Sequence, residues 1–251
     1  MRLVERRRLI KKARAAAEEK TAAAVLSQLQ SRYRSLKREL RKGNLHKRMA
    51  KFEKAKALPP GPEAQAIQPG ADGWQEWIDA FTTALTEALM EGADKIGSIE
   101  GAVWESRGMP RFVFDPAKVV AAYQSRTGKQ IKKIGEDTRD HVLQDVTDWY
   151  NTDAGLPSLL EDLGEYFGEA RAALIAATET AYITSELADE QMGQYGINKW
   201  IWSSFNDWIR CPKCEDLDGQ VFNRGDPMPP DASHPGCRCD VIFADDSGEE
   251  M

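Results

Sequence analysis

The stretch CPKCEDLDGQVFNRGDPMPPDASHPGCRCD, residues 211–240, holds all four cysteines of the chain and one of its three histidines. Thiols gathered so closely constrain the fold more than any other feature. Two short segments must meet in space, whether to form disulfide staples or to grip a metal. Cys211 and Cys214 stand two residues apart, the spacing at which a tight turn points two thiolates at one ion; His234, Cys237 and Cys239 follow nineteen residues later. Three sulfurs and a nitrogen, or four sulfurs, fill a tetrahedral site with one donor left over. Soft thiolates with an imidazole select zinc. The residues leave open whether Cys237 or Cys239 closes the site. Two disulfides and free buried thiols are the competing readings. The start, MRLVERRRLIKK, lacks an apolar core of signal-peptide length, so a reducing cytoplasm is expected, where clustered cysteines serve metals more often than disulfides.

The zinc is expected to be structural. A catalytic zinc keeps three protein ligands and an open place for water, whereas here donors outnumber places and the module has no spare histidine to act as base. Glu215, Asp216 and Asp218 read as solvated loop carboxylates. Asp218-Gly219 supplies a hairpin-type turn, and Pro227, Pro229 and Pro230 stiffen the return path to His234. Little apolar material is visible in the module, so metal is expected to supply much of its folding energy.

The rest of the chain reads as mainly α, an α+β protein overall: a multi-helix body, a small zinc-stabilised β/loop module and a basic N-terminal helical arm. With 41% hydrophobic residues it can bury a core, and no run of 18 apolar residues suggests a membrane span. Residues 1–56 carry 19 of the 34 Lys/Arg and 5 of the 40 Asp/Glu, which leaves 15 against 35 beyond them. That split predicts a basic arm on an acidic body. Within the arm, Ala22, Leu26, Leu29, Tyr33, Leu36 and Leu40 form a seam of alternating three- and four-residue steps on a helix. The outer charges could neutralise phosphates; with only Tyr33 and Phe52 as aromatics there, base stacking is not expected. Residues 57–73, rich in proline and glycine, read as a linker.

Residues 74–196 are expected to be the helical body. Trp74, Trp77, Ile78, Phe81, Leu85 and Leu89 give an amphipathic helix over about 74–92. Asp115 and Pro116 start another, as N-cap and first helical residue. Ile131, Ile134, Thr138, Val142, Asp145 and Trp149 mark a long helix in which Asp145 fits poorly. Ser158 and Glu161 form a capping-box pattern, and a long helix stops near Gly196. The module, residues 197–245, holds short strands at KWIWSSF (199–205), GQVF (219–222) and DVIF (240–243). Residues 246–251 read as an acidic, disordered tail.

Taken in order, Arg171–Glu179 in RAALIAATE, Trp200 and Trp202 in KWIWSSFND, Arg210–Gly219 in RCPKCEDLDG and His234–Cys239 in HPGCRC resemble the phage Mu F-like head morphogenesis, or minor head protein, family. The resemblance spans roughly 74–245. It implies a minor capsid protein of a tailed-phage virion that acts in head assembly, beside the portal and inside the head, made in the host cytoplasm, with the portal and other head proteins as partners. DNA is a further candidate partner of the basic arm. The family often has Arg in I-A-R-T-E where this chain has Ala177, so any salt bridge made there, such as one to Glu179, cannot form in the same way.

Two other functions compete. A zinc-dependent nuclease acting on phage or host DNA would need a metal-bound water or a histidine base; His46 and His141 lie in no catalytic motif. A zinc-ribbon transcription factor fits poorly, because residues 211–243 hold Lys213, Arg224 and Arg238 against six acidic residues. A binding protein with no enzymatic turnover is the expected outcome.

Overall fold

The computed structural model describes residues 3–41, 71–123, 129–150, 156–204 and 211–251. The later part of the expected arm, His46, residues 57–70 of the expected linker, Phe205 and Arg210 lie outside them. The described chain is mainly helical with a small three-stranded sheet. In order it runs α1 (Leu3–Arg41), α2 (Ala71–Glu105), α3 (Pro116–Tyr123), α4 (Lys129–Tyr150), α5 (Leu156–Tyr166), α6 (Glu169–Tyr195), β1 (Lys199–Ser203), α7 (Pro212–Leu217), β2 (Val221–Asn223) and β3 (Asp240–Ala244). No helix among the described residues is long and apolar enough to cross a membrane.

These elements pack as two units. One is built from residues 25–84 and 130–172. Its buried side chains come from α1 (Val25, Leu29, Leu36), the start of α2 (Trp74, Trp77, Ile78, Phe81), α4 (Val142), and α5 with the residue that follows it (Leu159, Leu163, Phe167). Tyr33 stacks on Phe167 at 5.3 Å, and the Trp77 indole N–H donates to the Gln28 carbonyl at 3.0 Å. The other unit, residues 1–24, 85–129 and 173–251, contains the sheet and every cysteine.

Helix α1 is buried along one stripe in each unit: Ile10, Ala13, Arg14, Ala17 and Thr21 in the cysteine-bearing unit, Val25, Leu29, Arg32 and Leu36 in the other. Leu29 and Leu36 are buried as the heptad-like seam predicts, but Ala22, Leu26 and Tyr33 are only half-buried. The buried stripe also takes in Arg14 and Arg32, which a pattern reading assigns to water. Arg32 is accommodated by lying 4.2 Å over the Trp74 ring. The first helix is thus packed into both units, where the charge pattern had suggested an appended arm. Its outer face still presents Arg8, Lys11, Lys12, Lys20, Arg34 and Arg38 to solvent.

Helix α2 runs to Glu105, well past the expected end near residue 92. Gly92, Gly97 and Gly101 lie inside this longer helix, and Gly92 and Gly101 are close-packing positions. A Cβ placed on Gly92 would sit 2.7 Å from the Cβ of Ala17 on α1. Helix α5 starts at Leu156, so exposed Ser158 lies inside its first turn rather than at the N-cap; Pro157 suits that turn, where N–H groups have no intrahelical partner. Helix α6 ends at Tyr195, and Gly196 takes the left-handed conformation at φ +68 that lets the Ile197 N–H reach back to the Met192 carbonyl at 2.9 Å.

Beyond that turn the strands pair in the order β2-β1-β3, all antiparallel. Strand β1 alternates in burial, and Trp200 and Trp202 are both fully buried on one face. Opposite Trp200 stand Phe222 on β2 and Phe243 on β3. The expected disordered tail is instead folded back: Ala244 bridges to Glu250, and the Met251 N–H donates to the Phe243 carbonyl at 3.0 Å.

Gly92→Ala tests the helix contact. Propensity favours alanine by about 1 kcal/mol, but overpacking costs about 1–3 kcal/mol. Denaturant unfolding is expected to show net destabilisation, and the double variant with Ala17→Gly should recover most of it.

Candidate metal centre

The site begins at α7, the short helix that Pro212 opens. Cys211 is its N-cap: its sulfur accepts the Cys214 N–H at 3.2 Å, so one backbone turn fixes both thiols on the same side. The second segment returns from the Asp218-Gly219 turn through β2 and the proline-rich loop. Asp218 accepts the Ser204 N–H at 2.7 Å, which joins that turn to the end of β1. The HPGCRC loop is fastened to α6 by the Gly236 N–H, which donates to the Thr178 hydroxyl at 2.7 Å, and the proline-rich stretch before it by the Ser185 hydroxyl, which donates to the Pro229 carbonyl.

These supports bring all five candidate donors together. The donor atoms of Cys211, Cys214 and His234 lie within 4.8 Å of one another, and so do those of Cys214, Cys237 and Cys239. Cys214 is common to both groups. Its sulfur is 3.4 Å from His234 Nε2 and 3.9 Å from the Cys237 sulfur. With zinc–sulfur bonds of about 2.3 Å and zinc–nitrogen bonds of about 2.0 Å, tetrahedral edges measure about 3.5 Å from sulfur to nitrogen and about 3.8 Å from sulfur to sulfur. The donor set and these two edges fit a tetrahedral soft-metal site, and the cluster could hold a metal. The cysteines are not joined by disulfides.

Protonation follows the same arrangement. A backbone carbonyl can only accept, so the 2.8 Å contact of His234 Nδ1 with the Pro235 carbonyl places the ring proton on Nδ1. Nε2 is left with its lone pair toward the sulfurs, the usual orientation of a metal-ligating histidine. That carbonyl, with the Cys211 and Cys237 thiolates, raises the His234 pKa against the opposing effect of burial. The Cys237 thiol is held down at about 5, first by hydrogen bonding from the Cys239 thiol. Cys214 is pushed up to about 12, chiefly by burial. Contact with the Cys237 sulfur, then burial, raises Cys239. Burial alone would raise Cys211, but the Cys214 N–H and His234 bring it below its ordinary value.

One expectation needs correction. The module is not poor in apolar material: Cys214, Cys237 and Cys239 belong to a buried cluster with Trp104, Met192, Ile197, Trp200, Trp202, Met228 and Phe243. The sequence reading overlooked it because most of these residues lie outside 211–240. Thr178 and Ser185 were also missed as supports, since small hydroxyl residues inside a helix carry no signal of their own. Elsewhere, His141 is exposed on α4 against the Tyr166 ring, and its Nδ1 contacts the Asp137 carbonyl. Glu179 and Ala177 are buried on α6.

Residues 124–242 match the family model described as Phage Mu protein F like protein. That stretch includes all five donors. No curated protein and no solved structure matches the chain.

Metal binding needs thiolates and a neutral imidazole, so protons compete with it. Because the His234 pKa is raised, its protonation sets in from above the ordinary 6.5 as pH falls. Affinity for added zinc, measured by competition with a chelator, is expected to decline as pH is lowered through that region. A flat profile would contradict the site.

Proposed function

We propose that this chain, whose residues 124–242 match the family model described as Phage Mu protein F like protein, is a minor head protein that works by binding during head morphogenesis and not by turnover. The family match carries this reading, and it points to the virion as the protein's location and to other head proteins as its partners. Within that role, one structural zinc per chain is held by Cys211, Cys214, His234 and either Cys237 or Cys239. When bound, the ion supplies a tetrahedral cross-link between the α7 turn and the HPGCRC loop. Thr178 holds that loop to α6, Ser185 holds the proline-rich stretch before it, and the tryptophan cluster packs against Cys214, Cys237 and Cys239.

The finer assignments are attachment at the portal, inside the head, and contact of the cationic outer face of α1 with packaged DNA. The exposed Arg8, Lys11, Lys12, Lys20, Arg34 and Arg38 support the second of these. A zinc nuclease is the weaker reading, because two groups of three donors share Cys214, so a fourth protein donor stands ready for the place that a catalytic zinc keeps for water. Asp218, one of the nearby carboxylates, is already engaged by the Ser204 N–H.

Heads assembled with Cys214→Ser in place of the native chain test the proposal. Metal content and incorporation into heads should fall together, while Glu87→Gln, at an exposed position of α2, leaves both unchanged. A metal-free Cys214→Ser chain that enters heads normally would overturn it. So would purified native protein that cuts DNA.

A further inference from the structure

Arg14 sits within the run of cations that opens the chain, yet it is only 2% exposed, while Lys11 and Lys12 beside it are exposed. Its Nη1 donates to the Cys239 carbonyl at 2.8 Å across 225 residues of sequence. Its Nε and Nη2 are buried with no hydrogen-bond partner among the described residues. The charge is balanced across space instead: Glu18 Oε1 lies 3.4 Å from Nε, and Asp240 Oδ1 lies 4.0 Å from Nη1. Glu18 also reaches Arg238, between the two cysteines of the CRC segment, at 3.6 Å. A buried guanidinium is costly unless its surroundings use it, and here what uses it is the backbone of Cys239.

That backbone has a second contact. The Cys239 N–H points at the Cys237 sulfur at 3.4 Å. One residue thus has its carbonyl held by α1 and its N–H turned toward a candidate ligand. Fixing the carbonyl limits rotation of the segment and keeps the N–H on the sulfur, where it stabilises the thiolate. The cation also suits the charge of the centre, since zinc with three thiolates and a neutral imidazole carries one net negative charge.

We propose that Arg14 is a positioning residue for the metal centre, by which helix α1 holds the CRC segment in its ligating shape. The inference rests on the metal reading above and goes beyond it, because it makes metal retention depend on the N-terminal helix. Groups that orient metal ligands typically change metal affinity by about 10–100-fold when removed. The hydrogen bond and the positive charge are both partly retained by lysine, so Arg14→Lys should behave between wild type and Arg14→Gln.

The test uses full-length chain purified without added metal. Zinc per chain is measured first, then the rate of zinc transfer to a chromogenic chelator. Arg14→Gln should release zinc on the order of tenfold faster than wild type, Arg14→Lys less so, and Glu87→Gln, at an exposed position of α2, at the wild-type rate. Hydrogen exchange of the wild-type chain gives an arm that needs no variant: stripping the metal should raise exchange in α1 near residue 14. Wild-type chain without metal would overturn the metal reading and this inference with it. Metal-loaded chain whose release is unchanged by Arg14→Gln would overturn this inference alone. If Arg14→Gln does not fold, α1 exchange that ignores metal removal overturns it instead.

Discussion

Sulfur atoms and an imidazole packed together away from water impose the constraint on which the C-terminal module depends. Cys214 has the His234 ring nitrogen and the Cys237 sulfur at hydrogen-bonding distance and is itself buried. With protons alone, that crowd must divide its charge unevenly, which is why Cys237 is held down while Cys214 and Cys239 are raised. A divalent soft cation removes the conflict, because it accepts a lone pair from each donor at once and replaces the protons. The two backbone N–H groups aimed at Cys211 and Cys237 work in the same direction, since each favours the thiolate its sulfur must become.

The surrounding fold serves that centre with ordinary means. Helix α6 offers the Thr178 hydroxyl to the HPGCRC loop and the Ser185 hydroxyl to Pro229 before it, and α1 offers a guanidinium to the Cys239 carbonyl. Strand β1 places Trp200 and Trp202 under the cysteines, and the antiparallel partners β2 and β3 add Phe222 and Phe243. In the proposed role the chain must keep its shape when packed against neighbours, and a module with an apolar cluster beside donors that could hold a metal suits that demand. In the family reading the exposed cations of α1 are then left for contacts outside the module.

The chain's own residues announce some of this and conceal the rest. The cysteine and histidine spacing points to side chains whose donor atoms the fold gathers into two overlapping groups, and alternation in KWIWS reveals the central strand with its buried tryptophans. Helical period places Leu29, Leu36, Phe81, Leu85 and Val142 in the interior, where they are found. Arg14 and Arg32 could not be found that way. Nothing local distinguishes a buried arginine from its exposed neighbours, because its partners, the Cys239 carbonyl and the Trp74 ring, are distant in sequence. The choice between Cys237 and Cys239 stays undivided because both belong with Cys214 in one group of donors.

X-ray absorption at the zinc edge of chain purified without added metal tests the metal-held module most directly. The predicted spectrum has three sulfurs at about 2.3 Å and one nitrogen at about 2.0 Å around each zinc. A shell that includes water oxygen, or a folded protein whose sulfurs are bonded to each other with no metal present, would contradict it.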